Sequence, residues 1–147
     1  MTGCTSTSLK MVMVSGHFDG FHSGHLDYII QSLQLGCKLL CIVSTDKQLR
    51  LKKGKVNVEE SYRWRILDLI LRGMNYEHCV FLNLWDDNTT QVTEALRHFK
   101  PDIFFRGYDK TLETMPPEER KVCEELGIEI IHAKNRIGER HSSEIFK

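Results

Sequence analysis

The stretch KMVMVSGHFDGFHSGHLDYII, residues 10–30, decides the fold of this chain. It begins with the apolar run Met11–Val14, crosses a glycine-containing loop and enters a helix near Ser23. The apolar residues that recur on one face of this predicted helix are Leu26, Ile29, Ile30 and Leu33. A strand, a glycine loop and a helix N-terminus in this order present backbone N–H groups to a phosphate. Phosphate loops usually supply a lysine here, whereas this loop offers the imidazoles of His22 and His25.

The rest of the chain repeats this alternation of apolar runs and amphipathic helices. The further predicted strands are Lys38–Val43, His78–Leu82, Ile103–Phe105 and Ile128–His132. The further predicted helices are Glu59–Arg72, Thr90–Phe99, Pro116–Leu126, a short turn at Asp46 and a last helix capped by Ser142 and Ser143. Five strands alternating with helices predict one doubly wound, Rossmann-like α/β domain with a five-stranded parallel sheet. We expect this domain to span residues 10–147, after a flexible tail over residues 1–9.

For two of the helices, the sequence also predicts a C-cap or a buried face. Gly36 is expected to end the first helix as its C-cap. In the helix Glu59–Arg72, the pattern predicts an inward apolar face and an outward charged face. The residues expected inward are Tyr62, Ile66, Leu69 and Ile70, and those expected outward are Arg63, Asp68 and Arg72.

Composition limits the classes of function. The chain has 147 residues, 41% of them hydrophobic and 27% charged, and its formal net charge is zero. A neutral chain has no broad electrostatic footprint for nucleic acid or for an anionic membrane. No apolar run has the length of a transmembrane helix, and residues 1–9 lack the apolar core of a signal peptide. Because the five cysteines are odd in number and form no C-x-x-C pair, we expect a cytoplasmic protein.

Cationic side chains gather after the predicted strands. Ligands of a parallel sheet bind beyond the carboxyl ends of its strands. The histidines, lysines and arginines found there are His17, His22, His25, Lys52, Lys53, Lys55, Arg106, Lys110, Lys134, Arg136 and Arg140. One edge of a neutral protein is therefore predicted to be rich in positive charge, which suits a polyphosphate.

The loop Gly16–His25 resembles the G-x-F-D-x-x-H-x-G-H signature of the small nucleotidylyltransferases. That family includes cytidylyltransferases for glycerol 3-phosphate, phosphocholine and phosphoethanolamine, and adenylyltransferases for heptose phosphate and flavin. The likeness covers nearly the whole chain. The segment Ser44–Asp46 is similar to the family's S-T-D, and Arg63–Leu67 is similar to its R-x-x-I-L helix. Arg106–Asp109 resembles its G-x-D loop, and Arg136–Ser143 resembles its closing R-x-x-G-x-S-T-T element.

The resemblance implies that the phosphate of a small metabolite attacks the α-phosphorus of a nucleoside triphosphate and that pyrophosphate leaves. The residues for which it implies a catalytic role are His22, His25, Arg63 and Lys55. The residues that it implies bind the nucleotide are Ser15, Gly16, His17, Phe18, Gly24, Arg106, Gly107, Asp109, Arg136, Ser142 and Ser143. We expect Mg²⁺ to arrive with the triphosphate, without a metal site built by the protein. His17 departs from the family, which commonly has threonine there.

Several assignments have alternatives. The three imidazoles of the loop could bind zinc, although no cysteine is placed to complete a tetrahedral site. Asp19 could coordinate magnesium, but we favour a carboxylate that caps its own loop by accepting backbone N–H bonds. Arg63 could be an exposed helix charge, and the lysines of residues 52–55 could simply be solvated.

The functional alternatives concern the donor and the activity itself. Ser44–Asp46 and the 136–143 element slightly favour transfer of CMP from CTP. The alternative is AMP transfer from ATP to a sugar phosphate of the heptose 1-phosphate type. A non-catalytic nucleotide-binding domain is the second class of function. The resemblance implies pairing near the active site, and the apolar Ile145 and Phe146 need cover, so we also expect a homodimer.

Overall fold

The computed structural model describes residues 9–135 and contains one parallel β-sheet. Its strands are β1 Met11–Gly16, β2 Lys38–Val43, β3 His78–Leu82, β4 Ile103–Arg106 and β5 Glu129–His132. They lie in the order β3-β2-β1-β4-β5, and every neighbouring pair is parallel. This confirms the predicted α/β fold with a five-stranded parallel sheet.

The helices of the described residues are α1 Ser23–Leu33, α2 Asp46–Lys53, α3 Glu60–Gly73, α4 Thr93–Phe99 and α5 Pro117–Leu126. The helix predicted to begin at Ser142 and Ser143 lies outside the described residues. Helix α4 begins three residues later than predicted because the Asp86 carboxylate accepts hydrogen bonds from the Glu94 and Ala95 amides. None of the helices in residues 9–135 is long and apolar enough to cross a membrane.

Two apolar cores lie on the two faces of the sheet. Successive side chains of a strand point to opposite faces, so β1 places Val12 and Val14 in one core and Met13 in the other. Helices α1 and α3 cover the first core with Ile29 and Leu67 among others, whereas α4 and α5 cover the second. Burial on both faces explains why the strand sequences are continuous apolar runs.

Helix α3 buries a different face from the one predicted. Arg63, Leu67 and Leu71 are buried at a spacing of four residues, which forms one stripe on a helix. Tyr62 and Leu69 are instead 62% and 59% exposed. The expected burial of Tyr62 and Leu69 and the expected exposure of Arg63 are therefore wrong, whereas Arg72 is exposed as predicted. The stripe that faces the sheet includes an arginine because hydrogen bonds permit its burial. Ile66 is exposed as well, at 39%.

Two other local expectations are also corrected. The turn expected at Asp46 is an eight-residue helix, because Thr45 caps its start and Gly54, at φ +81°, ends it. Gly36 does not cap α1, whose C-cap is Gln34. A Cβ at Gly36 would lie 2.4 Å from the Lys10 carbonyl oxygen, so glycine is required there for close approach of two backbones.

The strand order places a crevice between β1 and β4. The chain runs outward from β1 to β2 and β3, and then returns to the other side of β1 for β4 and β5. The loops after β1 and β4 therefore leave in opposite directions and open a gap at the carboxyl ends of these strands. Ligands of open α/β sheets bind in this crevice.

Candidate active site

An open cleft of about 1290 Å³ occupies this crevice. The predicted site residues that line it are His22, His25, Lys55, Ser15, Gly16, His17, Phe18, Gly24, Arg106, Gly107 and Asp109. Arg63 is not among the lining residues. Arg136, Ser142 and Ser143 lie outside the described residues. The fold therefore brings together the predicted residues of the β1 loop, the α2 end and the β4 loop.

The imidazoles of His22 and His25 stack at the N-terminus of α1, with ring centroids 3.8 Å apart. His22 Nδ1 accepts a hydrogen bond from the Gly24 amide over 3.0 Å, and His25 Nδ1 accepts one from the His22 amide over 3.2 Å. A neutral imidazole that accepts through Nδ1 carries its proton on Nε2. The backbone thus fixes both rings as Nε2–H donors.

Local packing supports this arrangement. A Cβ at Gly24 would lie 2.9 Å from His22 Cε1, so a side chain at Gly24 would displace the ring. Burial, followed by the neighbouring His22 and His17, lowers the pKa of His25 to about 4. His25 is therefore neutral at neutral pH, and it can still donate a hydrogen bond through Nε2.

Asp19 accepts hydrogen bonds from the Asn57 amide over 3.0 Å and from the Val58 amide over 2.6 Å. The structure therefore gives this carboxylate a capping role, but the capped backbone is the segment before α3 and not its own loop.

Within residues 9–135, no group of three histidine, cysteine or acidic side chains is arranged to hold a metal ion.

The Asp19 contacts predict a pH-dependent contribution to stability. Burial raises the pKa of Asp19, but the amides of Asn57 and Val58 lower it more, so its net pKa is below the ordinary value. A lowered folded-state pKa stabilises the protein above the unfolded pKa, and this contribution is lost as the pH falls. We expect Asp19→Asn to reduce the free energy of unfolding by about 1 kcal/mol at pH 7. Urea unfolding at pH 7 and near pH 3 measures this; an undiminished difference at the lower pH would contradict it.

Arg63 lies behind the wall of the cleft and is only 1% exposed. Its Nη1 donates to the His17 and Ser44 carbonyls over 2.8 and 2.7 Å, and its Nε donates to the Val58 carbonyl over 2.7 Å. Its Nη2 forms an ion pair of 2.8 Å with Asp46. Arg63 thus joins the ends of β1 and β2 to the start of α2. The predicted direct catalytic contact has no support in this geometry, and Arg63 is better described as a positioning residue.

Arg106, at the end of β4, differs from Arg63 because it lines the cleft. It is 7% exposed, and its Nη1 contacts the Thr111 carbonyl over 2.8 Å and His132 Nε2 over 3.1 Å. Among the described residues, no carboxylate lies within 4.0 Å of its guanidinium. Burial lowers the pKa of Arg106, although the nearby charges of Glu119 and Asp109 act in the opposite direction. Its charge is therefore available to an anion in the cleft.

Three lysines stand at the mouth of the cleft. Lys52 and Lys53 belong to the last turn of α2, and Lys55 follows its Gly54 cap. All three are exposed and line the cleft. They can reach a polyphosphate without being desolvated beforehand.

Several lining residues were not found from the sequence. Tyr28 and Gln31 follow His25 on the same side of α1, so helical spacing could have indicated them. Glu119, which is buried on α5, accepts a hydrogen bond from the Val92 amide over 3.0 Å. Burial raises the pKa of Glu119 despite the nearby charge of Arg106. No local pattern distinguishes Glu119 from the other acidic residues of α5.

The fold and the cleft define a class of nucleotide-binding α/β proteins. A glycine and histidine loop follows β1, a helix N-terminus faces the cleft, and cationic side chains surround it at the switch point of the sheet. The chain belongs to the cytidylyltransferase-like family, whose model matches residues 13–146.

Similar proteins agree with this membership. An FAD synthase of Methanolacinia petrolearia is 30% identical over 89% of this chain and 82% of its own length. A D-β-D-heptose 1-phosphate adenylyltransferase of Bordetella bronchiseptica is 32% identical over 72% of this chain and 62% of its own length. The crystal structure of a lipopolysaccharide core biosynthesis protein from Thermoplasma volcanium is 28% identical, with a TM-score of 0.64, and the match covers 85% of this chain and 96% of that chain.

Proposed function

We propose that this protein is a nucleotidylyltransferase, which transfers a nucleoside monophosphate from a nucleoside triphosphate to a small phosphorylated metabolite. The observation that carries the proposal is the stacked pair His22 and His25, fixed as Nε2–H donors at the N-terminus of α1. Family membership and the cationic cleft around the pair support the same conclusion.

In the proposed reaction an oxygen of the acceptor phosphate attacks the α-phosphorus of the triphosphate. The bond from the α-phosphorus to its bridging oxygen breaks, and its electron pair leaves with pyrophosphate. A phosphate monoester has a second pKa of about 6, so the acceptor is mostly a dianion at neutral pH and needs no general base. The protein must supply alignment and positive charge at the α-phosphorus. His22 and His25 donate hydrogen bonds there, while Arg106 and the lysines of residues 52–55 bind the outer phosphates.

The next question is which nucleoside triphosphate donates the nucleoside monophosphate. The sequence alone slightly favours CTP, whereas two relatives at 30% and 32% identity are an FAD synthase and a heptose 1-phosphate adenylyltransferase. We therefore propose ATP as the donor, with CTP as the alternative. The acceptor is a phosphorylated metabolite such as a sugar phosphate.

A thermal-shift panel of ATP, CTP, GTP and UTP with Mg²⁺ tests the donor. A ligand at 100 times its Kd stabilises the folded state by about 2.7 kcal/mol, so the donor should raise the melting temperature most. A larger shift with CTP would favour cytidylyl transfer. Pyrophosphate release from the chosen nucleotide and candidate phosphates then tests catalysis. Binding without release, across a broad set of acceptors, would favour a non-catalytic nucleotide-binding domain.

The proposed cofactor is Mg²⁺, held through the triphosphate. Mg²⁺ keeps several waters and is commonly bound by substrate phosphates with one or two carboxylates. Asp19 is occupied by two backbone amides, so it is a poor candidate for direct coordination. We expect the purified protein to hold no stoichiometric metal, and its activity to vanish with EDTA and return with Mg²⁺. Zinc retained through dialysis at one equivalent per chain, measured by elemental analysis, would contradict this.

A cytoplasmic homodimer with one catalytic domain over residues 10–147 completes the proposal. The dimer rests on what the family resemblance implies, and Ile145 and Phe146, which were expected to need cover, lie outside the described residues. Light scattering at micromolar concentration should give twice the chain mass of 17.1 kDa. A monomer would contradict the dimer but not the activity.

A further inference from the structure

His17 is the third imidazole of the cleft, and its hydrogen bonds differ from those of His22 and His25. Its Nδ1 lies 2.8 Å from the Ser44 hydroxyl oxygen. The Ser44 hydroxyl itself donates to the Gly16 carbonyl over 3.3 Å. A hydroxyl carries one proton and a carbonyl oxygen only accepts. Both contacts are therefore hydrogen bonds only when His17 Nδ1 carries a proton and donates it to Ser44.

The neutral His17 ring consequently has the opposite tautomer to its two neighbours. Its unprotonated nitrogen is Nε2, which is an acceptor, whereas His22 and His25 use Nε2 as a donor. A deprotonated phosphate oxygen is also an acceptor. His17 can therefore donate a hydrogen bond from Nε2 to a phosphate only after the ring has taken up a second proton.

Burial, together with the positive charge around it, keeps His17 neutral while the cleft is free. The groups that face it are Lys52 and Lys53 from α2, Arg63 from α3, Lys110 from the loop after β4, and His25 from α1. Burial, followed by the charges of Lys53, Arg63, Lys110 and Lys52, lowers the pKa of His17 to about 4. A bound triphosphate brings negative charge next to His17 and offsets these positive charges. An adjacent opposite charge moves a pKa by about 1–3 units, here upward.

We propose that His17 binds the nucleoside triphosphate as an imidazolium, so that nucleotide binding is coupled to the uptake of one proton by His17. This inference rests on the proposed function. The proton comes from solvent and is added to Nε2, while the ring keeps its Nδ1–H bond to Ser44. A threonine, which the resembling family commonly has at this position, donates through its hydroxyl without titrating. Proton coupling is thus a consequence of histidine at residue 17.

Isothermal titration calorimetry of the full chain with ATP and Mg²⁺, and in parallel with CTP and Mg²⁺, tests the coupling. Repeating the titration in buffers of different ionisation enthalpy gives the number of protons taken up per bound nucleotide. His17→Thr is the matched control, because it keeps a donor and removes the titrating ring. A bound-state pKa raised by about 1–3 units lies at about 5–7, so near pH 5 the wild type should take up about 0.4–0.9 proton more than the variant.

The affinity for the nucleotide should depend on pH for the same reason. Because the pKa of His17 rises on binding, uptake begins above the free-state pKa, and the affinity advantage is lost as the pH rises towards the bound-state pKa. The affinity of the wild type relative to His17→Thr should therefore fall by about two- to eightfold per pH unit near pH 5 and should level off above the bound-state pKa.

A second measurement needs only the free wild-type protein, so it remains decisive if the variant folds poorly. Nitrogen-15 NMR of the histidine rings should show His17 as the Nδ1–H tautomer, and His22 and His25 as the Nε2–H tautomer. An Nε2–H tautomer for His17 would overturn the inference, as would equal proton uptake by the wild type and His17→Thr. If neither nucleotide binds, both this inference and the proposed function fail, whereas binding with equal proton counts contradicts this inference alone.

Discussion

Replacing His22 or His25 by alanine is expected to lower kcat by about 10²-fold or more, the usual result of losing one preorganised hydrogen-bond donor at a reacting centre. Both rings are locked by backbone amides before substrate arrives, so no reorganisation is needed as charge develops at the α-phosphorus. The loss should therefore fall mainly on kcat and less on the Michaelis constant. Steady-state measurement of pyrophosphate release separates the two.

Matched variants distinguish this chemical role from a structural one. The His22 side chain also caps α1 by accepting from the Gly24 amide. His22→Asn can keep this cap while losing the Nε2–H donor, so it should fold like the wild type and still lose activity. His25→Gln retains an N–H donor and should be less impaired than His25→Ala. A rate within a few-fold of the wild type for His22→Asn, with only the Michaelis constant raised, would refute the proposed role.

Replacing Arg63 by methionine is expected to reduce the free energy of unfolding by about 3–5 kcal/mol. The substitution keeps much of the buried volume, but it leaves Asp46 without its ion-pair partner and leaves three backbone carbonyls without a donor. Each buried polar group that loses its partner costs about 1–3 kcal/mol. Urea unfolding followed by circular dichroism measures the loss.

Arg65→Met on the same helix is the control for Arg63→Met. Arg65 is exposed, and a surface substitution of this kind usually changes stability by less than about 0.5 kcal/mol. A loss below about 1 kcal/mol for Arg63→Met would show that water replaces its contacts. The positioning role would then be wrong.

The sheet could be predicted from the sequence because its signals are local. Continuous apolar runs such as Lys38–Val43 and His78–Leu82 agree with the observed strands residue for residue, and glycine, proline and histidine signals placed the loops between them. The loop after β1 was recognisable for the same reason, since its functional residues lie within Gly16–His25. Ligands of a parallel sheet bind at the carboxyl ends of its strands. The loops that follow these strands could therefore be predicted to line one cleft, although they are distant in sequence.

The orientation of α3 could not be predicted in this way. Hydrophobic periodicity predicts that an arginine on a helix faces the solvent. Arg63 is nevertheless buried, because backbone carbonyls of other segments accept its hydrogen bonds. The His17 carbonyl lies 46 residues away in sequence and the Ser44 carbonyl 19 residues away. The partners of Asp19 were missed for a similar reason, because the amides of Asn57 and Val58 are 38 and 39 residues away. Hydrogen bonds of this range leave no periodic pattern in a single sequence.

The loop after β1 is held in place at two points, and this determines which parts of the protein can fluctuate. Arg63 holds the loop through the His17 carbonyl, and Asp19 holds it through the amides that precede α3. Because the guanidinium of Arg63 is buried against the sheet, the loop cannot detach without disrupting the core. Its slowest amide protons should therefore exchange with solvent only through global unfolding, as should those of β1. We therefore expect the fluctuations that admit substrate to arise mainly in the loop after β4, on the other side of the cleft.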